Sequence, residues 1–256
     1  MGDAGIKFVH GKPALVAGGV LAVADLHLGI ERELDAKGLR VGGVAEAMKR
    51  GLVELVCAEK PEKLVIVGDA KHHIRGAPKI ESLGVKELLA ELAALAEVII
   101  VPGNHDAGLE VPGARVSVAR GSGIRIGGVA FAHGHAKPSP EAMGADCLVV
   151  GHMHPCVEVV DERGQKSVER AWALMRAGKR ALLGEYPEAN PGIRLVVMPA
   201  FNPLVGGVLL NRGKEGALKG PLFRSGIFKL AAGEIFLLDG SGLSGLESPS
   251  GLQAGE

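Results

Sequence analysis

Aromatic residues are scarce: one Trp, one Tyr and six Phe make up 3% of 256 residues. That scarcity leaves no material for an extended base-stacking platform. Net charge is missing as well, with Lys+Arg and Asp+Glu at 29 each. A protein that grips long duplexes through their phosphates usually carries a basic excess. Cysteine is sparse. Cys57, Cys147 and Cys156 are an odd number with no CxxC pair, which argues against a disulfide framework or a Cys-rich zinc site. Core thiols in a reducing cytoplasm are the expectation. No apolar run reaches the ~18 residues needed to cross a bilayer. The opening MGDAGIKFVHGKPALVAGG lacks a charged segment followed by a long apolar one, and Ile6 stands where a myristoylation signal needs Ser or Thr, so neither signal is expected. Repeats and linkers are absent too. Residues 1–240 are therefore expected to form one domain, with 241–256 a flexible Gly/Ser-rich tail.

What is present is apolar residue in short, ordered runs. The hydrophobic fraction is 47% and the mean hydropathy +0.23, as in soluble globular proteins. A hairpin should precede strand VLAVA (20–24), and KLVIV (63–67) and VIIV (98–101) read as buried strands. Between them, 44–59 and 82–97 repeat apolar residues at helical spacing, with Ser82 placed to cap the second helix and Glu87 and Glu91 on its outer face. Strand–helix alternation of this kind predicts a parallel sheet flanked by helices. After residue 110 the runs VSVA, IRI, VAFA, CLVV, VEVV, 168–174, RLVVMPA and IFKLAAGEIFLLDG come with turns and few helices. They predict a second, more antiparallel sheet packed on the first. Residues 175–191 fit neither period and read as a short helix plus loop.

The histidines are the informative feature. Of nine, eight fall in five short segments that each follow an expected strand: Asp25-Leu-His27, Gly68-Asp69-Ala-Lys-His72-His73, Gly103-Asn104-His105-Asp106, His133-Gly134-His135 and Gly151-His152-Met-His154. His10 stands apart. Residues i and i+2 on an extended backbone project to one side, so His152 and His154 converge rather than diverge. Open α/β sheets build their sites at the carboxyl ends of strands. Gly68, Gly103, Gly134 and Gly151, in or beside four of the five segments, let the backbone turn sharply and the ligands crowd together. One such turn is unremarkable; Gly-Asn-His-Asp is not, since this composition would produce it by chance roughly once in a thousand sequences. Imidazole, carboxylate and an Asn carbonyl together suit Mn, Fe, Ni or Zn better than Ca or Mg.

The ordered series DLH, GD, GNHD, HGH, GHMH resembles the motifs of the calcineurin-like metallophosphoesterases over residues 20–160. ADLHLGIE, GDAKHH and MPAFNPLVGG extend the likeness to archaeal SbcD-related and bacterial ligase-associated phosphoesterases, out to about residue 240. The resemblance implies a four-layer αββα sandwich of two mixed sheets flanked by helices. It also implies two divalent cations, manganese first among them. Asp25, His27, Asp69 and His154 would hold one, and Asp69, Asn104, His133 and His152 the other, with Asp69 bridging. A hydroxide formed between the cations would attack phosphorus, with His105 contacting the phosphate and protonating the leaving oxygen, and Asp106 fixing the His105 ring. His72 would contact phosphate or support a ligand, and His135 would lie near the phosphate.

The activity so implied is a phosphodiesterase or nuclease acting on a nucleotide or short nucleic acid, without a membrane. The alternatives are a catalytically silent scaffold of the same fold, or a phosphomonoesterase or protein phosphatase. The length leaves no room for the capping domain of the large nucleases, which favours small diesters. Oligomeric state stays open. Lys71 and His73 are expected to be solvated; Trp172 is expected to pack in the core rather than form, with Met175, a base-stacking loop beside Arg170 and Arg176; and the Arg163, Arg170, Arg176, Lys179, Arg180 run is expected to be a solvated face.

Overall fold

The computed structural model describes residues 5–74, 79–212, 218 and 220–243, with the side chains of 79 and 80 outside that description. Its first half runs β1 (Ile6–Phe8), β2 (Ala14–Ala17), β3 (Val20–Val23), α1 (Ile30–Ala36), α2 (Val44–Glu59), β4 (Lys63–Ile66), α3 (Lys79–Leu95), β5 (Glu97–Ile100) and β6 (Val116–Val118). These strands form one sheet in the order β1-β2-β3-β4-β5-β6. The hairpin pairs β1, β2 and β3 antiparallel, and β3 to β6 run parallel. The second half runs β7 (Ile124–Ile126), β8 (Val129–Ala132), α4 (Pro140–Met143), β9 (Cys147–Val150), β10 (Pro155–Val160), β11 (Lys166–Arg176), α5 (Lys179–Glu185), β12 (Arg194–Val197), β13 (Val208–Leu209), α6 (Pro221–Arg224), β14 (Glu234–Leu237) and β15 (Gly242–Leu243). It builds a sheet ordered β13-β10-β11-β12-β9-β8-β7, with β14 on β11 and β15 on β14. That sheet is mixed, since β12, β9 and β8 are parallel neighbours.

Alternation along each strand explains the layering. Leu64 and Ile66 of β4 face a core shared with Met48, Leu52 and Leu55 of α2 and Leu88, Leu89 and Leu92 of α3. Val65 and Val67 point the other way, into a core shared with Phe131, Val149, Trp172 and Val196 of the second sheet. On that sheet's far side, Leu148, Val150, Leu195 and Val197 pack with Met143, Leu182 and Leu222 from its helices. Three cores separate four layers, the αββα sandwich expected. Strands β3, β8 and β9 are apolar and buried along their whole length because both faces are covered, and each fully buried Leu, Val or Ile contributes roughly 1.5–3 kcal/mol. In α2, Met48, Leu52, Leu55 and Val56 recur at the three-to-four spacing of one helix face.

Several expectations need correction. α3 begins at Lys79, so Ser82 lies inside the helix and caps nothing. α1 was not foreseen. Gly242 and Leu243 of the supposed tail pair with β14; residues 244–256 lie outside the described part. β11 extends to eleven residues, pairing with β10 early and with β12 and β14 late. Trp172 sits in the inter-sheet core against Phe8 at 4.7 Å, and Met175 is buried too, as core packing requires. Arg163, Arg176, Lys179 and Arg180 are exposed, but Arg170 is half-buried and donates to the Ala200 and Phe201 carbonyls at 3.3 and 3.0 Å. His10 is exposed. Residues 175–191 hold the last two residues of β11, then α5 and its flanking loops.

Candidate metal centre

The segments that follow β3 and β4 are held edge to edge beyond the strands. Asp25 N–H donates to Gly68 O at 3.1 Å, His27 N–H to Asp69 O at 2.8 Å and Leu28 N–H to Ala70 O at 3.0 Å. This pairing forces Asp25 and His27 to stand beside Asp69. The second sheet brings His133 from the end of β8, and His152 and His154 from the end of β9. Two groups result. Ligand atoms of Asp25, His27 and His154 lie within 4.8 Å of one another, and so do those of Asp69, His133 and His152. One oxygen faces both groups: Asp69 Oδ2 is 3.5 Å from His27 Nε2 and 3.2 Å from His133 Nε2.

Backbone conformation marks the same residues. Among the described non-glycine residues, positive φ occurs at Asp25, His27, Asp69, His152 and His154, and elsewhere only at Lys60. Each such residue costs of order 1–3 kcal/mol, so the fold spends stability to aim these side chains. Gly103 explains how they fit: a Cβ there would lie 2.1 Å from Asp69 Oδ1. At Gly68, with φ +82°, it would lie 2.0 Å from His133 Nδ1.

Electrostatics follow from crowding two carboxylates and several imidazoles in a dry place. Burial lowers the pKa of His27 to about 4, the Asp69 and Asp25 charges opposing only partly. His152 is lowered to about 4 as well, by burial and then by the charge of His133. Burial also lowers His133, but the Asp69 and Asp25 carboxylates outweigh it and raise the ring overall. Asp69 is correspondingly held below the usual carboxylate range: burial raises it, but hydrogen bonding and charge from His133 prevail. For His154, burial is outweighed by the Asp25 carboxylate 3.1 Å away, and the pKa rises.

The residues fit divalent ions. His27 Nε2 and Asn104 Oδ1 are buried without a hydrogen-bond partner among the described residues, and His133 Nε2 and His154 Nε2 face the Asp69 and Asp25 carboxylates at 3.2 and 3.1 Å without well-aligned hydrogen bonds. Buried lone pairs with no donor are uncommon, and here they belong to the residue types that bind transition metals. Remaining ring nitrogens are tied back, as ligand imidazoles are: His133 Nδ1 to Val67 O and His154 Nδ1 to Gly206 O, both at 3.0 Å. Asp25 also accepts from His152 N–H at 3.0 Å.

The surroundings differ from expectation in three places. Asp106 does not touch the His105 ring. Its carboxylate accepts from Ala70 N–H at 2.9 Å and Gly103 N–H at 2.8 Å, tying two ligand loops together, while His105 Nδ1 donates to the His72 carbonyl. Lys71 is not solvated. It is buried, and its Nζ donates to the carbonyls of His73, Ile74 and His105. His73 is partnered by the buried Glu81. His135 stands at the rim, 5.3 Å from the His133 ring, with Nδ1 lacking a hydrogen-bond partner and burial lowering its pKa.

One residue was overlooked. Asn202 is wholly buried; its Nδ2 donates to Leu26 O at 2.8 Å and its Oδ1 accepts from Leu204 N–H at 2.9 Å, bracing the Asp25–His27 turn. The signal was a lone Asn ending the apolar run RLVVMPAFN, quoted above only for its family likeness.

This fold and donor set are similar to those of metallophosphoesterases. Residues 19–135 match the calcineurin-like phosphoesterase family model, a stretch that carries the first four ligand segments. The match stops at His135, so His152 and His154 rest on geometry. Among solved structures, the nuclease MPE of Pseudomonas putida aligns with 89% of this chain and 89% of its own at 19% identity and a TM-score of 0.54, which shows a shared fold. Yfce, a phosphoesterase from E. coli, aligns with 56% of this chain and 73% of its own at 20% identity, with a TM-score of only 0.33. No curated protein matches the sequence. No helix among the described residues is long and apolar enough to cross a membrane.

Proposed function

We propose that the protein is a dimetal phosphodiesterase acting on nucleotides or short nucleic acids. The observation that carries this is Asp69 Oδ2, within 3.5 Å of a ring nitrogen from each ligand group. Asp25, His27, Asp69 and His154 would hold one ion, and Asp69, Asn104, His133 and His152 the other. When bound, divalent ions supply positive charge for the phosphoryl oxygens and acidify water. Manganese is the first expectation, with Fe, Ni or Zn as alternatives.

The chain's own residues do the rest. A carbonyl only accepts, so the contact with His72 O fixes the proton of His105 on Nδ1 and leaves Nε2 to meet a leaving oxygen. Lys71 donates to the His105 carbonyl and so ties the loop that carries the ring to the segment after β4. A cleft of 510 Å³ lined in part by Lys71, Ile74, Leu83, Lys86, Ala107 and Leu109 adjoins the Lys71 segment, but neither His105 nor any ligand residue lines it. His135 at the rim would contact the phosphate. The chain through Leu243 would work as one domain, and its free thiols, buried at Cys147 and Cys156 but exposed at Cys57, fit a reducing cytoplasm.

A parallel assay with Mn(II) on bis-p-nitrophenyl phosphate, 2′,3′-cyclic nucleotides, single-stranded DNA and p-nitrophenyl phosphate tests the reading. Diesters should turn over, and His105→Ala should lose most turnover while keeping metal. Turnover of the monoester alone points to a phosphomonoesterase, and no turnover at all to a scaffold.

A further inference from the structure

A third histidine group adjoins the centre: His27, His72 and His105 bring ring nitrogens within 4.8 Å. It is not a cage for an ion. His72 has both nitrogens engaged, Nδ1 with His27 Nδ1 at 3.3 Å and Nε2 with Glu33 Oε2 at 2.7 Å. His105 Nδ1 is taken by the His72 carbonyl. What remains is a chain of contacts leading outward from His27 to Glu33 on α1.

We propose that Glu33, acting through His72, is a positioning residue for the His27 metal ligand. This role rests on the proposed metal assignment, and donor and acceptor counting leads to it. To bind an ion, His27 Nε2 must be bare, so the proton of the neutral ring sits on Nδ1. That N–H faces His72 Nδ1, which must therefore be the acceptor. The His72 proton is then forced onto Nε2, where a carboxylate, which only accepts, is waiting. Each link admits one arrangement. A carboxylate at the end of an imidazole fixes its tautomer and orientation and raises its basicity, and losing such a partner typically weakens metal binding about 10–100-fold. Here the effect passes through a second imidazole.

Glu33 needs no such partner for its own sake. Its side chain is 43% exposed and already pairs with Lys37 one turn on, an arrangement sufficient for a surface helix. The contact with His72 spans 39 residues of sequence and ties α1 to the segment after β4.

The test is Mn(II) titration of the full-length protein by calorimetry, with electron paramagnetic resonance counting free ion. Glu33→Ala should weaken one of two sites 10–100-fold and leave the other within twofold. Glu33→Gln, whose carbonyl still accepts from His72, should restore most of that loss. Adding Glu33→Ala to His72→Ala should cost nothing further, since the path is already cut. Lys37→Ala, which removes the other partner of Glu33, should change neither site. Unchanged affinity in Glu33→Ala, equal weakening of both sites, or a Gln variant as poor as Ala would overturn the proposal. A wild-type protein that binds two Mn(II) yet cleaves no phosphoester sinks the proposed function and leaves the positioning role standing.

Discussion

Replacing Asn202 by Ala probes how the fold holds its ligand turns. The side chain is fully buried and makes two close contacts, Nδ2 to Leu26 O at 2.8 Å and Leu204 N–H to Oδ1 at 2.9 Å. Each such bond contributes about 1 kcal/mol net, and a buried partner left unpaired costs about 1–3 kcal/mol. With the small cavity added, the expected loss is about 3–4 kcal/mol. A domain with a stability of about 5–15 kcal/mol survives this. The carbonyl released is that of Leu26, between Asp25 and His27, both at positive φ. The turn should relax, and Mn(II) affinity should fall together with stability. Urea unfolding of the metal-free protein, followed through Trp172, measures the first quantity, and Mn(II) titration at low denaturant the second. A loss under about 1 kcal/mol would refute the reasoning, because two buried bonds cannot vanish so cheaply.

Two further outcomes are expected. Gly103→Ala places a Cβ 2.1 Å from Asp69 Oδ1 and 2.6 Å from the Asp69 backbone nitrogen, so the carboxylate must move; Mn(II) uptake should drop at least tenfold, and unchanged uptake would show that Asp69 is not a shared ligand. Burial raises the pKa of Tyr186, whose hydroxyl donates to Pro138 O at 3.1 Å. Its contribution to stability is present below the unfolded phenol's pKa of about 10 and is lost as pH rises through the folded value. Because the chain has a single tyrosine, ultraviolet titration reads it directly, and a midpoint at or below the free-phenol value would contradict its burial.

The strands and their ligand-bearing ends were legible because two signals coincide there: an apolar run of four residues and an abrupt change to Gly, Asp, Asn and His. Helix 44–59 was legible for the same kind of reason, a one-sided apolar period. Ser82 misled because a good capping residue type inside a helix looks like one outside it. Long-range partners were hidden. Asn202 reaches Leu26 across 176 residues, and Glu33 reaches His72 across 39; no local period announces either. Lys71 was misjudged because lysine is ordinarily solvated, and only the folded loops show three carbonyls converging on its ammonium.

Anomalous diffraction from crystals grown with Mn(II) tests the account most directly. It predicts two peaks flanking the Asp69 carboxylate, about 3.5–4 Å apart, one beside Asp25 and His154 and the other beside Asn104, His133 and His152. A single peak, peaks away from Asp69, or none at saturating Mn(II) would contradict it.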